Sequence, residues 1–139
     1  MKIISDSLTV STRGFNDIKD LTEEISQKLQ TSGLKDGLVT VFVQGSTAGL
    51  TTIEYEPGLV RDLSELLEKL VPSSRSYHHD ERWGDANGFS HLRAALIGPS
   101  LVIPFSQSCL RLGVWQQIVL IDFDNRPRTR RLFLQFIGE

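Results

Sequence analysis

Residues 115–138 read WQQIVLIDFDNRPRTRRLFLQFIG. The run Ile118–Ile121 is apolar throughout, which marks a strand buried in a core. Residues 130–138 read as a second strand, and DNRPRT between the two predicts a hairpin connection. Just upstream, LVIPF at 101–105 and CLRLG at 109–113 read as further strands. In that setting Cys109 and Trp115 are expected in the core. The second half of the chain is therefore rich in strands.

The first half carries the helices. Residues 2–12, KIISDSLTVST, are β-branched and read as a strand, closed by the turn signal Arg13-Gly14. Asn16 or Asp17 can cap a helix in which Ile18, Leu21, Ile25 and Leu29 form one apolar stripe, with Gly33 as its stop. Residues 38–44, LVTVFVQ, are apolar on both strand faces and predict a central position in the sheet. The small, hydroxyl-rich GSTAGLTTIE leads into a short strand at 50–55. Pro57 opens a second helix whose stripe is Leu59, Leu63, Leu66, Leu67 and Leu70. Two early helices followed by many strands give an α+β fold, with a mostly antiparallel sheet curved over the helices. No linker or repeat divides residues 1–139, so a single domain is expected.

Composition removes several functional classes. The chain has 139 residues and a formal net charge of -2, ordinary for a globular protein and far from the basic excess of a nucleic-acid binder. One cysteine allows no intrachain disulfide, and the opening residues lack the apolar core of a signal peptide. No apolar run approaches the ~18 residues of a membrane span. A cytoplasmic protein without a membrane or nucleic-acid partner is expected.

The chemistry concentrates between residues 73 and 91, where the periodicity breaks. All three histidines, His78, His79 and His91, lie there with Asp80, Glu81, Asp85 and Asn87. Imidazole and carboxylate ligate borderline divalent metals, and imidazole also moves protons near neutral pH. No compact zinc motif is present, and a solvated polar loop also accounts for the segment. Adjacent His78 and His79 should point apart, so one of them faces a site. Asp85 and Asn87 in WGDANG suit an Asx-turn, either purely structural or holding Asp85 toward a metal or phosphate. In GSTAGLTTIE, backbone N–H groups with Ser46 and Thr47 can form an anion nest, or simply a tight turn. Glu54, at its end, is either solvated or held for proton transfer. Arg126, Arg128, Arg130 and Arg131 make a basic cluster that either solubilises the connection or engages a phosphate or a neighbouring subunit, and Asp122 and Asp124 offset its charge.

GSTAGLTTIE, the segment from His79 through WGDANGFSHLRAALIGPSLVIPF, LGVWQQIVLIDFD and the closing LQFIGE together resemble the YjbQ-like family. The resemblance runs nearly end to end. It implies an α+β fold with a curved, mixed, mostly antiparallel sheet packed with two main helices, assembled as a homotrimer. It also implies a divalent metal ion, zinc or magnesium, held by histidines near a subunit interface, and a secondary thiamine-phosphate synthase activity. By position, His79 and His91 match the metal-binding histidines. Asp85 and Asn87 match the family's Gly-Asp-x-Asn turn and Glu54 the acidic residue ending the threonine-rich motif, and these three are the expected catalytic residues; Trp115 and Gln116 match the GxWQ element and are expected to bind substrate. Two positions depart from the pattern: Gly45 stands where many members have histidine, and Val114 where many have threonine. The first leaves His78 or Asp85 to complete the metal's coordination. The resulting expectation is a metal-dependent enzyme for a small phosphorylated molecule, its phosphate held by Ser46, Thr47 and Arg93. The alternative is a non-catalytic trimer that binds a metal or a small anion.

Overall fold

Eight strands and four helices build the chain, described over residues 1–139 by a computed structural model. In order they are β1 (Lys2–Thr12), β2 (Asp17–Asp20), α1 (Thr22–Ser32), β3 (Gly37–Gln44), β4 (Ala48–Ile53), α2 (Pro57–Leu70), α3 (His78–Trp83), α4 (Gly88–Ile97), β5 (Ser100–Ser106), β6 (Cys109–Leu110), β7 (Gln117–Asp122) and β8 (Arg128–Gly138). They form an α+β fold with a curved antiparallel sheet in two parts, ordered β1-β8-β3-β5-β6 and β2-β7-β4. Every ladder is antiparallel.

β7 and β8 do not form the expected hairpin, because they belong to different parts of the sheet. Burial explains the separation. Ile118 and Leu120 enter a large core beneath the five-stranded part, while Val119, Ile121 and Phe123 enter a second core beneath α2 and α4. A strand apolar on both faces needs cover on both faces, and β7 receives it between the two cores. β8 alternates buried and exposed along its length. It pairs from end to end with β1, and over most of its length with β3. These long ladders prevail over a local hairpin.

The first helix begins later than its spacing suggested. Ile18 lies in β2, paired with Ile121, and only Leu21, Ile25 and Leu29 carry the stripe into the large core. The Asp20 carboxylate accepts from the Thr22 N–H and hydroxyl, which starts the helix there. Gly33 closes it in the left-handed conformation, as expected. In α2, Glu56 caps the N-terminus by accepting from Gly58 and Leu59 N–H. One flank of its leucine stripe is covered: Leu67 is buried, whereas Leu66 and Leu70 are exposed.

β3 takes the central position expected of it, between β8 and β5. Val39, Val41 and Val43 fill the core, but the opposite face is uncovered within the chain. Leu38, Phe42, Val102, Phe133 and Ile137 lie side by side there in register, all exposed. Cys109 is also exposed rather than core, because β6 is only a two-residue edge strand. No helix is long and apolar enough to cross a membrane.

Candidate functional site

The aperiodic stretch folds as two helices joined by a tight turn. Asp80 makes the joint: Oδ2 accepts from the Tyr77 N–H at the start of α3, and Oδ1 accepts from the Gly88 N–H at the start of α4. A side chain at Gly88 would press within 2.7 Å of the Tyr77 Cβ, so only glycine lets the helices approach this closely. On α3 the adjacent histidines diverge, as expected, though by helical rather than extended geometry. His78 is fully exposed and His79 turns inward.

His79 meets His91 from the first turn of α4, with ring centroids 4.2 Å apart and planes tilted by 39°. His79 Nδ1 is buried and has no hydrogen-bond partner. The nearest carboxylate oxygens, on Asp80 and Asp85, stand at 3.8 and 3.9 Å, beyond hydrogen-bond reach. Ligand atoms of His79, Asp80 and Asp85 all lie within 4.8 Å of one another. Burial pushes the His91 imidazole below its ordinary pKa, and His79 acts the same way against Asp124 and Asp85. The shift favours the neutral imidazole, the form that ligates metals.

Beneath the histidines lies a buried ionic network. Asp122 and Asp124 are fully buried at the end of β7, and Arg130 is 7% exposed on β8. Arg130 donates from Nε and Nη2 to the two Asp122 oxygens at 2.7 and 2.8 Å, and from Nη2 to the Thr47 hydroxyl at 2.6 Å. Thr47 donates in turn to Asp124, and Thr12 to Asp122. Arg128 donates to Asp124 at 2.6 Å. Asn87 Nδ2 donates to Asp124 Oδ1 at 3.2 Å, while its buried Oδ1 has no partner. The network ties the α4 N-terminus, and with it His91, to the sheet. The sequence offered a sign of it: Asp122 and Asp124, like Arg128 and Arg130, alternate on one strand face.

Asp124 gives this network a pH dependence. Burial works to raise its pKa, but the Arg128 guanidinium, the Asn125 N–H and the Asn87 amide together hold it below the ordinary value. Its contribution to stability is therefore complete above the usual aspartate range and lost as pH falls through the lowered value. The thermal midpoint should decline once pH drops below about 4. A midpoint unchanged down to pH near 3 would show that Asp124 keeps its ordinary pKa.

A cleft of about 260 Å³ opens beside His91, lined also by Gly45, Ser46, Ala48, Ala94 and Pro99. Ser46 faces it, whereas Thr47 is buried in the network. Arg93 is turned elsewhere. Its guanidinium donates to the Val71 carbonyl, Asn16 and Glu68, and lies over the Phe89 ring. Glu54, Trp115 and Gln116 form a second group at the far end of β4, about 20 Å from Thr47 at ~3.3 Å per strand residue. There Glu54 and Trp115 border an open groove, and Gln116 donates to the Thr52 hydroxyl. Trp115 is 73% exposed rather than core, because β7 begins only at Gln117 and Trp115 sits in the preceding turn. The anticipated site residues thus fall into two groups with Arg93 in neither, and Asp80, Asp122, Asp124 and Arg130 join the histidine group.

A model of the family described as "UPF0047 protein YjbQ-like" matches residues 6–139. A UPF0047 protein of Archaeoglobus fulgidus is 39% identical over 128 residues, spanning 92% of this chain and 97% of the relative. Another, from Methanothermobacter thermautotrophicus, is 34% identical over 139 residues, 100% of this chain and 95% of the relative. The crystal structure of a YbjQ-like protein of unknown function from Sulfolobus solfataricus P2 matches with a TM-score of 0.93 at 32% identity, covering 99% of each chain.

Proposed function

The chain belongs to the UPF0047 YjbQ-like family, and on that basis we propose that it is a metal-dependent enzyme acting on a small phosphorylated metabolite, with an activity like that of a secondary thiamine-phosphate synthase. The observation that carries the proposal is the buried, unpartnered His79 Nδ1, set beside His91, Asp80 and Asp85. A buried nitrogen without a partner is costly, and a cation relieves it. Two imidazoles with carboxylates fit zinc better than magnesium, which prefers oxygen alone. His79, His91 and Asp85 would hold the ion, and Asp80 would fix the two helices that carry them. When bound, the metal would supply positive charge against the negative charge that develops on departing pyrophosphate. Asn87 would set the position of the α4 N-terminus, and Ser46 would contribute a hydroxyl to the cleft wall. The test is chelation followed by metal restoration, with pyrophosphate release assayed from a pyrimidine diphosphate and a thiazole phosphate. Activity should vanish on chelation and return with zinc. Full activity in metal-free protein would overturn the proposal.

Glu54, Trp115 and Gln116 reach such a cleft only from another copy of the chain. The exposed apolar face of Leu38, Phe42, Val102, Phe133 and Ile137 supports the expected homotrimer. Phe42→Glu should convert the trimer to monomers by sedimentation, with little change in secondary structure. An intact trimer in this variant would locate the interface elsewhere.

A second reading is a non-catalytic trimer that holds a metal or small anion. It is favoured by Gly45, which borders the cleft where many family members carry a histidine. Recovery of an unchanged phosphorylated ligand after long incubation with zinc-loaded protein would support this reading over the first.

A further inference from the structure

We propose that Arg130, through the gap left by the missing side chain of Gly45, is the residue that holds the phosphoryl group of a ligand in the histidine cleft. The inference rests on the proposed use of that cleft by a phosphorylated molecule, and it names the cation that such a molecule meets there.

Three observations carry it. First, Arg130 is nine-tenths buried, yet its guanidinium is only partly used. Nε and Nη2 are taken by Asp122 and Thr47, and Nη1 has no hydrogen-bond partner. The only fully buried side-chain polar atoms without a partner are His79 Nδ1 and Asn87 Oδ1, so Nη1, equally unpartnered, keeps some solvent contact. Second, the opening lies at Gly45. A Cβ at that position would stand 3.0 Å from Arg130 Nη1, its nearest neighbour. Gly45 is itself exposed, and outside its chain neighbours only Arg130 atoms lie within 4 Å of that Cβ position. Third, Gly45 and Ser46 border the same cleft as His91.

The chemistry follows from the guanidinium. Its plane is fixed by the two-point bond to Asp122, so Nη1 is aimed before any ligand arrives and loses little freedom on binding. The two network aspartates are matched by Arg128 and Arg130, so an incoming anion meets no uncompensated carboxylate in the network. Phosphate oxygens suit such a donor, with the Ser46 hydroxyl beside it. Arg93, the other buried arginine, has all three guanidinium nitrogens engaged and leaves this task to Arg130.

The experiment is a titration of the full-length protein with inorganic phosphate, followed through the backbone amide resonances of Gly45 and Ser46, with acetate as the comparison anion. It is run with and without zinc. Saturable shifts at both residues are expected with phosphate and weaker ones with acetate. Arg130→Lys should weaken phosphate binding at least about tenfold, the loss of one charge-assisted hydrogen bond. That variant disturbs a buried pair, so Gly45→Ala serves beside it. The added methyl closes the gap and removes no charge, although Arg130 must give by a few tenths of an ångström and φ of +155° adds backbone strain. It should weaken phosphate binding to a similar extent, with the folded spectrum retained. Phosphate affinity unchanged in a folded Gly45→Ala or Arg130→Lys protein overturns the inference, as does a wild-type titration that leaves Gly45 and Ser46 unmoved. His91→Ala separates this from the metal proposal. Loss of zinc dependence with the Gly45 and Ser46 shifts preserved in the zinc-free arm leaves the Arg130 site standing by itself.

Discussion

Replacing His79 with alanine should lower zinc affinity by about 100-fold or more, since loss of even a supporting residue around a metal costs 10–100-fold. The neighbouring His78→Ala should bind zinc as the unaltered protein does. The two residues are adjacent and chemically identical, so the contrast isolates orientation. His78 is fully exposed and at best loosely paired with Glu81. His79 is turned toward His91, Asp80 and Asp85, and its buried Nδ1 has no partner. Removing a buried polar atom that makes no hydrogen bond does not sacrifice one, so the metal-free His79→Ala protein should unfold at nearly the same temperature as its parent. Competition against a chromophoric zinc chelator reads the affinity, and thermal scans of metal-free protein read the stability. Equal affinity in the two variants would remove His79 from the metal site.

Asp122→Ala should destabilise the fold by about 3–5 kcal/mol, the cost of leaving the other half of a buried ion pair uncompensated. Asp122 is fully buried and accepts from Arg130 twice, from Thr12 and from the Asp124 N–H. Its loss strands the Arg130 guanidinium between the two parts of the sheet. The exposed pair Arg61–Glu65 on α2, at 3.4 Å, is the comparison. Glu65→Ala should cost no more than about 0.5 kcal/mol, because solvent screens both charges. Urea denaturation midpoints distinguish the two outcomes. A cost for Asp122→Ala as small as for Glu65→Ala would mean that the buried network is dispensable to the fold.

Local patterns carried much of the architecture. The alternation and β-branching of residues 2–12 and 38–44 fixed two strands, and Pro57 and Gly33 fixed a helix start and a helix stop. These features act within one element, through backbone preferences that neighbours need not supply. Ile18 suits a helix stripe and a strand equally, and only its pairing with Ile121 places it in β2. The exposed positions of Cys109 and Trp115 depended on where β6 and β7 end, which is set by their partners.

The sequence by itself determined the family, the α+β class and the gathering of histidines with acids around a tight turn, because each is written in short-range residue order. It did not determine that β7 and β8 part company, since that required knowing that two separate cores would cover β7 on both faces. It did not determine that Arg130 is buried beside the histidines while Arg93 faces away. Their roles come from contacts across some eighty residues of chain, Arg130 with Thr47 and Arg93 with Asn16. Charge placement depends on which distant groups meet, and only the tertiary structure brings them together.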